Sequence, residues 1–407
     1  MSGAPRLVLR ARRLAGAPVV AVRAWVRGGA RLESIPGQSL VTGRMLGEGT
    51  RQRDFRRIAA EAEARGMSLY GFGGVEIHGV ACDALAADWE LACAWVAELA
   101  LDSVFPEDRC AWLRRQAQGE LESLADQPDV LTGWSFLEQL YAPHALGRPI
   151  QGSAASLARL RPEDCAAFHA AGLSHGVVVT AAGEIAEDRV LARLGELFAG
   201  LAGPAADAPA PPAPAGSGEI RRIVRTRASD QAHLFLGHLT VPRAHPDYPA
   251  LELLSVVLGA GSGLAGRIPN RIRERDGLAY TAVATAAAGA GLDPGRLVAY
   301  VGTSPPTVER AERAVVEELE RLLAQGLEES EVAEARSYLL GRDPFRRETA
   351  RQWADLLGEA TIYGLPVDDP EWVAQSYRDL DRSAAEAAAR RHFAPDQLRV
   401  TVGLPRS

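Results

Sequence analysis

The residues whose types and spacing could do chemistry lie in one stretch, LGAGSGLAGRIPNRIRERDGLAY, from Leu258 to Tyr280. Arg273 and Tyr280 are seven residues apart, and Gly277 is expected to end a short basic helix between them. Tyr280 would then open the next strand and turn back toward the arginine. A guanidinium and a phenol on one surface can donate hydrogen bonds to a carbonyl oxygen, or to the oxyanion formed from it during acyl transfer. The alternative is a glycine turn before an ordinary amphipathic helix, with Tyr280 half-buried.

Four glycines precede this helix, and they allow positive φ and the close approach of another chain. They are Gly259, Gly261, Gly263 and Gly266. These glycines, together with Arg273 and Tyr280, form a candidate surface that the backbone of another chain could approach. The run GAGSGLAG has only a superficial likeness to a dinucleotide-binding loop, because an arginine-rich helix containing Pro269 follows it.

The spacing of the histidines does not predict a metal site. His233 and His238 lie five residues apart on a predicted strand and therefore project to opposite faces. The other six histidines show no HxxH, HxH or HxxEH spacing, whereas hydrolytic zinc sites need three protein ligands and an open position. The sequence also contains no P-loop.

Composition bounds the class of protein. The chain has 407 residues, of which 47% are hydrophobic and 24% charged, and its net charge is -7. These values argue against nucleic acid as the main partner and against disorder. The four cysteines have no CxxC spacing and are expected to be buried thiols. Arginines interrupt the apolar N-terminal residues, so neither a signal sequence nor a membrane span is predicted, and we expect a cytoplasmic protein.

The order of predicted elements repeats along the chain. Residues 6–13 and 17–28 are predicted to be strands that pair as a hairpin. Residues 203–218, GPAADAPAPPAPAGSG, have the composition of a linker. The elements on its two sides, 1–202 and 219–407, follow a similar order. We therefore predict an α+β fold of two homologous halves, each a mixed, mainly antiparallel sheet with helices on one face.

These features resemble the pitrilysin/insulinase-type zinc peptidases, which carry an inverted HxxEH motif. The resemblance lies in the two-halved layout, in the stretch 258–280, and in GQSLVTGRMLGEGT followed by RIAAEAEARG in the first half. It also includes 143–168, similar to a substrate-side stretch of the family. Arg273 and Tyr280 stand where the family has its substrate-holding arginine and tyrosine.

The resemblance also implies that the metal motif is degenerate. Matching backward from Gly49 and Thr50 places the two metal histidines at Leu40 and Arg44 and the catalytic glutamate at Gly43. Leucine cannot ligate zinc, arginine would repel it, and glycine has no carboxylate to activate water. Glu120 falls near the position of the third ligand and would be an orphan. The chain is therefore expected to hold no metal and to be inactive alone.

The resemblance finally implies a partner. We expect a non-catalytic, peptide-binding subunit of a heterodimer whose HxxEH-bearing partner supplies the zinc, with this chain forming half of a clam-like chamber. Precursor or leader peptide processing is one candidate role, and general oligopeptide turnover is another. Two alternatives stay open: a proteolytically inactive structural subunit, and a stand-alone peptide-binding protein.

Overall fold

The computed structural model of the chain describes residues 4–227, 230–261, 265–366, 369 and 371–406. The chain divides into two compact units, and each takes segments from both sides of the linker. Unit 1 comprises Met1–Glu122, Arg148–Pro212 and Arg346–Val367, and unit 2 comprises Ser123–Gly147, Ala213–Phe345 and Asp368–Ser407.

Each unit contains one five-stranded sheet. The strands are β1 (Leu7–Arg13), β2 (Val19–Arg27), β3 (Ser68–Gly73), β4 (Ile77–Leu85), β5 (Val177–Gly183), β6 (Arg221–Thr226), β7 (Ala232–Leu239), β8 (Ala279–Ala288), β9 (Arg296–Thr303) and β10 (Arg399–Pro405). The first sheet has the order β1-β5-β2-β4-β3 and the second β6-β10-β7-β9-β8. The second order is the first one repeated five strands later, which agrees with the predicted pair of homologous halves.

The helices fall between these strands. They are α1 (Gln38–Met45), α2 (Phe55–Glu63), α3 (Trp89–Leu101), α4 (Glu107–Ala125), α5 (Pro128–Tyr141), α6 (Ala154–Arg159), α7 (Pro162–His175), α8 (Glu187–Leu197), α9 (Tyr248–Ser255), α10 (Arg267–Pro269), α11 (Val308–Gln325), α12 (Glu329–Arg342), α13 (Ala350–Tyr363), α14 (Trp372–Arg378) and α15 (Arg382–His392). Two π-helical segments continue α9 and α10, namely Val256–Ala260 and Asn270–Arg275. Short 3₁₀ turns lie at Ala30–Leu32, Ala86–Asp88, Ala145–Gly147, Ala199–Leu201, Pro305–Thr307, Asp343–Arg346 and Pro395–Gln397.

The predicted hairpin between the first two strands is wrong. β1 pairs in parallel with β5, and β5 pairs antiparallel with β2, so β5 separates the two strands. The second sheet repeats this arrangement, because β10 lies between β6 and β7. These pairings join residues far apart in sequence, so the local pattern of each strand does not reveal them.

Alternate residues of the strands face different layers. On β2, Val20, Val22, Ala24 and Val26 join the core of unit 1 with apolar residues of α3 and α8. The opposite face carries Ala21 and, on β5, Ala182, which pack against Ala350 and Ala354 of α13. This helix follows the linker by more than a hundred residues, yet it covers a sheet formed before the linker.

The second unit shows the reciprocal exchange. α5 precedes the linker but packs on the second sheet, where Phe136 stacks on Phe235 of β7 at a centroid distance of 5.9 Å. Its side chains Phe136, Leu140 and Tyr141 form a small cluster against this face. The predicted boundary at the linker therefore differs from the compact units in two segments, 123–147 and 346–367. Equivalent helices of the two halves have changed places.

Two predictions about composition can be compared with the structure. All four cysteines are buried free thiols, as expected. Among the described residues, no helix combines the length and the apolar character that crossing a bilayer requires.

Candidate functional site

α1 carries the positions that resemble the zinc motif, and its first turn is fixed by Glu33. The Glu33 carboxylate accepts hydrogen bonds from the backbone N–H groups of Gly37 at 3.1 Å and Ser39 at 2.9 Å. Burial raises the pKa of Glu33, while these bonds and the one from Arg148 oppose that change. Leu40 is buried, with 7% of its surface exposed. The side chain at the first motif position is therefore a core residue.

Arg44 and Glu120 form an ion pair between α1 and α4. The guanidinium donates two parallel hydrogen bonds, Nη1 to Oε1 and Nη2 to Oε2, each 2.9 Å long. The side chains are 27% and 32% exposed. Glu120 was predicted to be an orphan ligand, and the structure instead gives it a cationic partner, because Arg44 reaches the carboxylate from the facing helix.

Gly43 lies where α1 approaches β3 most closely. A Cβ atom at this position would collide with the carbonyl oxygen of Phe72 and lie 2.5 Å from the backbone nitrogen of Gly73. Gly71 and Gly73 on the strand face the helix in the same way, against backbone atoms of Gly43 and Ser39. A glutamate at position 43 would therefore need the helix to move away from the sheet.

These residues do not fit the zinc ion that the motif would hold. Leu40 offers no lone pair, Arg44 is cationic, and both carboxylate oxygens of Glu120 are already bound by the guanidinium. The prediction that Leu40, Gly43 and Arg44 cannot form a zinc site agrees with this geometry. No hydrolytic step is assigned to this chain.

A second group of possible metal ligands lies in unit 2, at His245, Asp247 and His392. The carboxylate of Asp247 is already bound twice by Arg391, at 2.9 and 2.8 Å, and once by His392 Nε2 at 2.7 Å. His245 Nδ1 accepts the backbone N–H of Asp247 at 3.1 Å. Because internal hydrogen bonds satisfy these atoms, we interpret the group as a clamp that joins the start of α9 to the end of α15.

The predicted Arg273 and Tyr280 lie in unit 2, on either side of the turn at Gly277. Gly277 has a φ of 58°, and the helical segment ends at Arg275, as the sequence predicted. Arg273 Nε donates to the carboxylate of Glu274 at 2.8 Å. Tyr280 is 87% exposed at the start of β8. Neither side chain hydrogen-bonds the other within the described ranges, so their joint action stays a prediction.

Tyr280 also sits at an irregularity of its strand. Ala279 pairs with Thr303 and Thr281 with Gly302, so Tyr280 is an additional residue between two paired ones. β8 is at the edge of the second sheet. Such β-bulges redirect side chains and are frequent beside binding sites. The bulge leaves the phenol outside the core of its own chain.

The glycines before the helix pack against one another. Gly259 has a φ of 134° and Gly266 one of 116°. A Cβ on Gly266 would lie 2.5 Å from Gly259 Cα, and one on Gly259 would lie 2.5 Å from Pro269 Cδ. Gly261 has only ordinary van der Waals distances around it, and Gly263 lies outside the described residues. Close internal packing thus explains two of these glycines, and their predicted contact with a peptide remains a prediction.

Arg267 holds the start of this helix in place. Its guanidinium donates two hydrogen bonds of 2.7 Å to Glu331 of α12 and one of 2.8 Å to the carbonyl oxygen of Gly326. Although burial alone would raise the pKa of Glu331, the bonds from Arg267 and the Glu328 backbone lower it. A cavity of about 290 Å³ lies beside the Arg267–Glu331 ion pair and is lined by Arg267, Glu331 and Tyr338.

Two of these contacts lie beyond simple sequence patterns. Arg44 and Glu120 are 76 residues apart, and Arg267 and Glu331 are 64 residues apart. The positions of Arg44 and Glu120 were singled out from the family resemblance, but their pairing depends on how α1 and α4 pack. Arg267 was not among the predicted site residues. The sequence indicated it only through its position within the stretch 258–280.

Comparison with known proteins places these sites in a family. The sequence profile described as "Peptidase M16 inactive domain" matches residues 163–339. An uncharacterized zinc protease of Mycobacterium leprae is 27% identical over 349 residues, which cover 84% of this chain and 78% of that protein. One of Streptomyces coelicolor is 26% identical over 359 residues, covering 85% and 77%. The chain is thus similar to the M16 peptidases, over residues 163–339 to the inactive domain and over most of its length to these relatives.

Solved structures have the same fold as this chain. The crystal structure of a peptidase M16 inactive domain from Pseudomonas fluorescens matches with a TM-score of 0.86 at 23% identity, covering 99% of this chain and 96% of that one. A protease from Helicobacter pylori matches with the same score at 17% identity, covering 100% and 98%. The predicted α+β fold and family are confirmed. The profile that matches residues 163–339 is that of an inactive M16 domain, and Leu40, Gly43 and Arg44 lie outside this match.

Proposed function

We propose that this M16 chain is the non-catalytic, substrate-binding subunit of a heterodimeric zinc peptidase. The observation that supports this most strongly is the contrast between two sets of positions. At the positions that resemble the zinc motif, the guanidinium of Arg44 forms an ion pair with the carboxylate of Glu120. At the substrate-holding positions Arg273 and Tyr280 are both kept, and Tyr280 is exposed on an edge strand.

Tyr280 acts on the reacting carbonyl. Its hydroxyl donates a hydrogen bond to the carbonyl oxygen of the peptide as that oxygen becomes anionic at the partner's active site. The register irregularity and the exposure of the phenol support this role, because a substrate can reach the hydroxyl. An exposed phenol gains a buried partner only when the substrate and the second subunit cover it.

Arg273 positions the peptide rather than stabilising the oxyanion. Its guanidinium is permanently charged and offers several donors, and only Nε is used by Glu274. The remaining N–H groups bind a neighbouring peptide carbonyl. The peptide itself adds as a strand to a sheet edge of the catalytic subunit, which gives affinity that tolerates different sequences.

The partner is an HxxEH-bearing chain of the same family, and the two chains enclose the peptide in one chamber in the cytoplasm. A partner is needed because the residues at positions 40, 43 and 44 supply neither metal ligands nor a general base. Precursor or leader peptide processing is the proposed biological role.

The first test uses the isolated chain. We expect no peptide cleavage and no zinc that depends on Glu120, because Arg44 occupies that carboxylate. Metal analysis and a peptidase assay are run on the wild type and on E120Q. A chelator-sensitive cleavage by the wild type that E120Q abolishes would contradict the proposal.

The second test uses the complex. A neighbouring reading frame that encodes HxxEH is co-expressed with this chain, and co-purification is measured. In that complex Y280F should lower kcat by roughly a hundred- to a thousand-fold, the usual effect of removing one oxyanion donor. R273A should mainly raise KM, because it removes ground-state positioning. R275A is the matched control, since Arg275 lies in the same segment and its ion pair among the described residues is a long one, 3.9 Å to Asp276.

The alternatives give different results. Assembly with wild-type turnover in both Y280F and R273A would identify a structural subunit. A stable monomer that binds peptides but does not co-purify with the HxxEH chain would identify a stand-alone binding protein.

A further inference from the structure

We propose that a small arginine-lined pocket at the start of β8 binds a carboxylate of the peptide, so that the complex prefers substrates with an acidic group near the cleaved bond. The cationic lining of the pocket comes from Arg271, Arg310 and Arg313, all of unit 2. This inference rests on the proposed function, because it assigns the pocket to the peptide that Arg273 and Tyr280 hold. It adds a determinant of substrate choice to that function.

Arg310 and Arg313 are the two cations of the pocket that lack an acidic partner. They are exposed and lie three residues apart on α11, so their side chains share one face of the helix. Neither forms an ion pair with another residue that the structure describes. Glu312, which lies between them in sequence, is instead bound by Arg221 of β6. The two guanidinium groups repel each other, and an anion that contacts both removes this repulsion.

Arg271 forms a fixed wall of the same pocket. Its Nε donates to the carboxylate of Asp276 at 2.7 Å, and its Nη2 donates to Glu317 at 2.8 Å. The side chain is 22% exposed. A guanidinium has five N–H donors, so these bonds hold the group in place and leave other donors for a ligand. Because Arg271 is already ordered, it can bind an anion with little further loss of side-chain entropy.

The size of the pocket selects a small anionic group. Its volume is about 140 Å³, whereas sites for drug-sized ligands measure roughly 300–1,000 Å³. A carboxylate is planar, and its two oxygens match the planar fork of a guanidinium. The pocket therefore suits the side chain of an aspartate or glutamate, or the C-terminal carboxylate of a peptide.

The position of the pocket assigns this carboxylate to the peptide substrate. Leu278 lines the pocket, and Tyr280 follows two residues later in β8. Two residues of extended chain span about 7 Å. Arg271 likewise precedes Arg273 by two residues within one helical segment. An extended peptide whose carbonyl oxygen is bound by Tyr280 can thus place an acidic group in the pocket from roughly two to four residues away.

The first measurement uses the isolated full-length chain. Short amidated peptides of alanine and glycine, with either one glutamate or one glutamine and the same rhodamine label, are titrated at low salt by fluorescence anisotropy. The glutamate peptide should bind roughly three- to tenfold more tightly. R310Q/R313Q should remove this preference. R115Q is the matched control and should keep it, because Arg115 is exposed on α4 and likewise forms no ion pair within the described ranges.

A third peptide identifies the source of the carboxylate. It contains glutamine but ends in a free carboxylate instead of an amide. If it binds as tightly as the glutamate peptide, and R310Q/R313Q weakens it equally, the pocket takes a C-terminus as well as a side chain. If it binds like the amidated glutamine peptide, the pocket takes an acidic side chain.

The second measurement uses the complex with the HxxEH chain. R310Q/R313Q should lower kcat/KM for the glutamate peptide roughly three- to tenfold more than for the glutamine peptide. Y280F should instead lower kcat for both peptides. If the double variant does not fold, as judged by its Tm, R310Q and R313Q are measured singly, and each should remove part of the preference.

The two measurements separate this inference from the proposed function. A glutamate preference of the isolated chain that R310Q/R313Q removes supports the pocket, even if no HxxEH chain co-purifies. A Y280F effect in a complex that treats the two peptides equally retains the proposed function and refutes the pocket. Equal binding of the glutamate and glutamine peptides to the wild type, or no binding of either at millimolar concentration, would also overturn the pocket.

Discussion

The packing of α13 on the first sheet leads to a prediction about Gly358. A Cβ at this position would lie 2.5 Å from Trp25 Nε1 and 2.8 Å from Cζ2. The indole cannot move freely, because it is 8% exposed and its Nε1 donates to Thr180 Oγ1 at 3.0 Å. G358A should therefore overpack this contact.

The magnitude follows from two opposing terms. Alanine in place of glycine in a helix stabilises it by roughly 0.5–1 kcal/mol. Overpacking of a buried contact typically costs about 1–3 kcal/mol. The net expectation for G358A is a loss of about 0–2.5 kcal/mol in the free energy of unfolding.

G341A is the matched control. Gly341 lies in α12 and has open space around its would-be Cβ, so only the favourable helix term applies. The difference between the two variants isolates the overpacking, about 1–3 kcal/mol. Urea unfolding followed by circular dichroism and thermal melts measures this difference. If G358A proved as stable as G341A, α13 would not pack on Trp25 as described.

Three further predictions concern other parts of the chain. His169 Nε2 donates to the Ala100 carbonyl and Nδ1 accepts from His78 Nε2, so both buried rings are neutral; burial lowers the pKa of each. The free energy of unfolding should therefore keep its full value above about pH 6.5. Below that pH it should decrease by up to about 1.4 kcal/mol per pH unit for each imidazole. A Tm independent of pH from 8 to 5 would contradict this. Burial raises the pKa of Cys82 and Cys93 to about 12, so a thiol reagent should react with these two cysteines only after denaturation, and rapid reaction of either in the native chain would refute their burial. Proteolysis within 204–217 should leave the two fragments together on a native gel, because unit 1 includes 346–367 and unit 2 includes 123–147; separate folded fragments would refute the exchange.

The regular elements of the fold were largely predictable from sequence, but their pairing was not. Apolar runs located the strands, and the repeated order on both sides of the linker indicated two related sheets. The position of β5 between β1 and β2 depends on residues far apart in sequence. The same holds for α5 and α13, whose apolar faces do not indicate which sheet they cover. α8 was missed although Glu187 and Asp188 open it and Val190 and Leu194 are buried.

The candidate site shows the same division. A leucine, a glycine and an arginine at the motif positions predicted the lack of zinc ligands from residue type alone. The pairing of Arg44 with Glu120 required the packing of α1 on α4, which no local pattern contains. Gly259 and Gly266 were predicted to admit a peptide, but the observed contacts are with each other and with Pro269. The sequence shows where a glycine allows a close approach. Which group approaches it depends on the fold.

The exchange of α5 and α13 has a consequence for how the chain is made. The ribosome completes the first sheet by residue 183, but the helix that covers its second face ends at Tyr363. At a synthesis rate of about 5–20 residues per second, that face stays uncovered for roughly 10–40 s before α13 is made. Its side chains suit the delay: beside Trp25 it carries Ala21, Thr180 and Ala182, and an Arg23–Asp83 ion pair of 2.8 Å. Apart from Trp25 and Val178, this face consists of small and charged residues that can remain in water during synthesis, and Asp355 of α13 then joins the ion pair, 3.1 Å from Arg23 Nε.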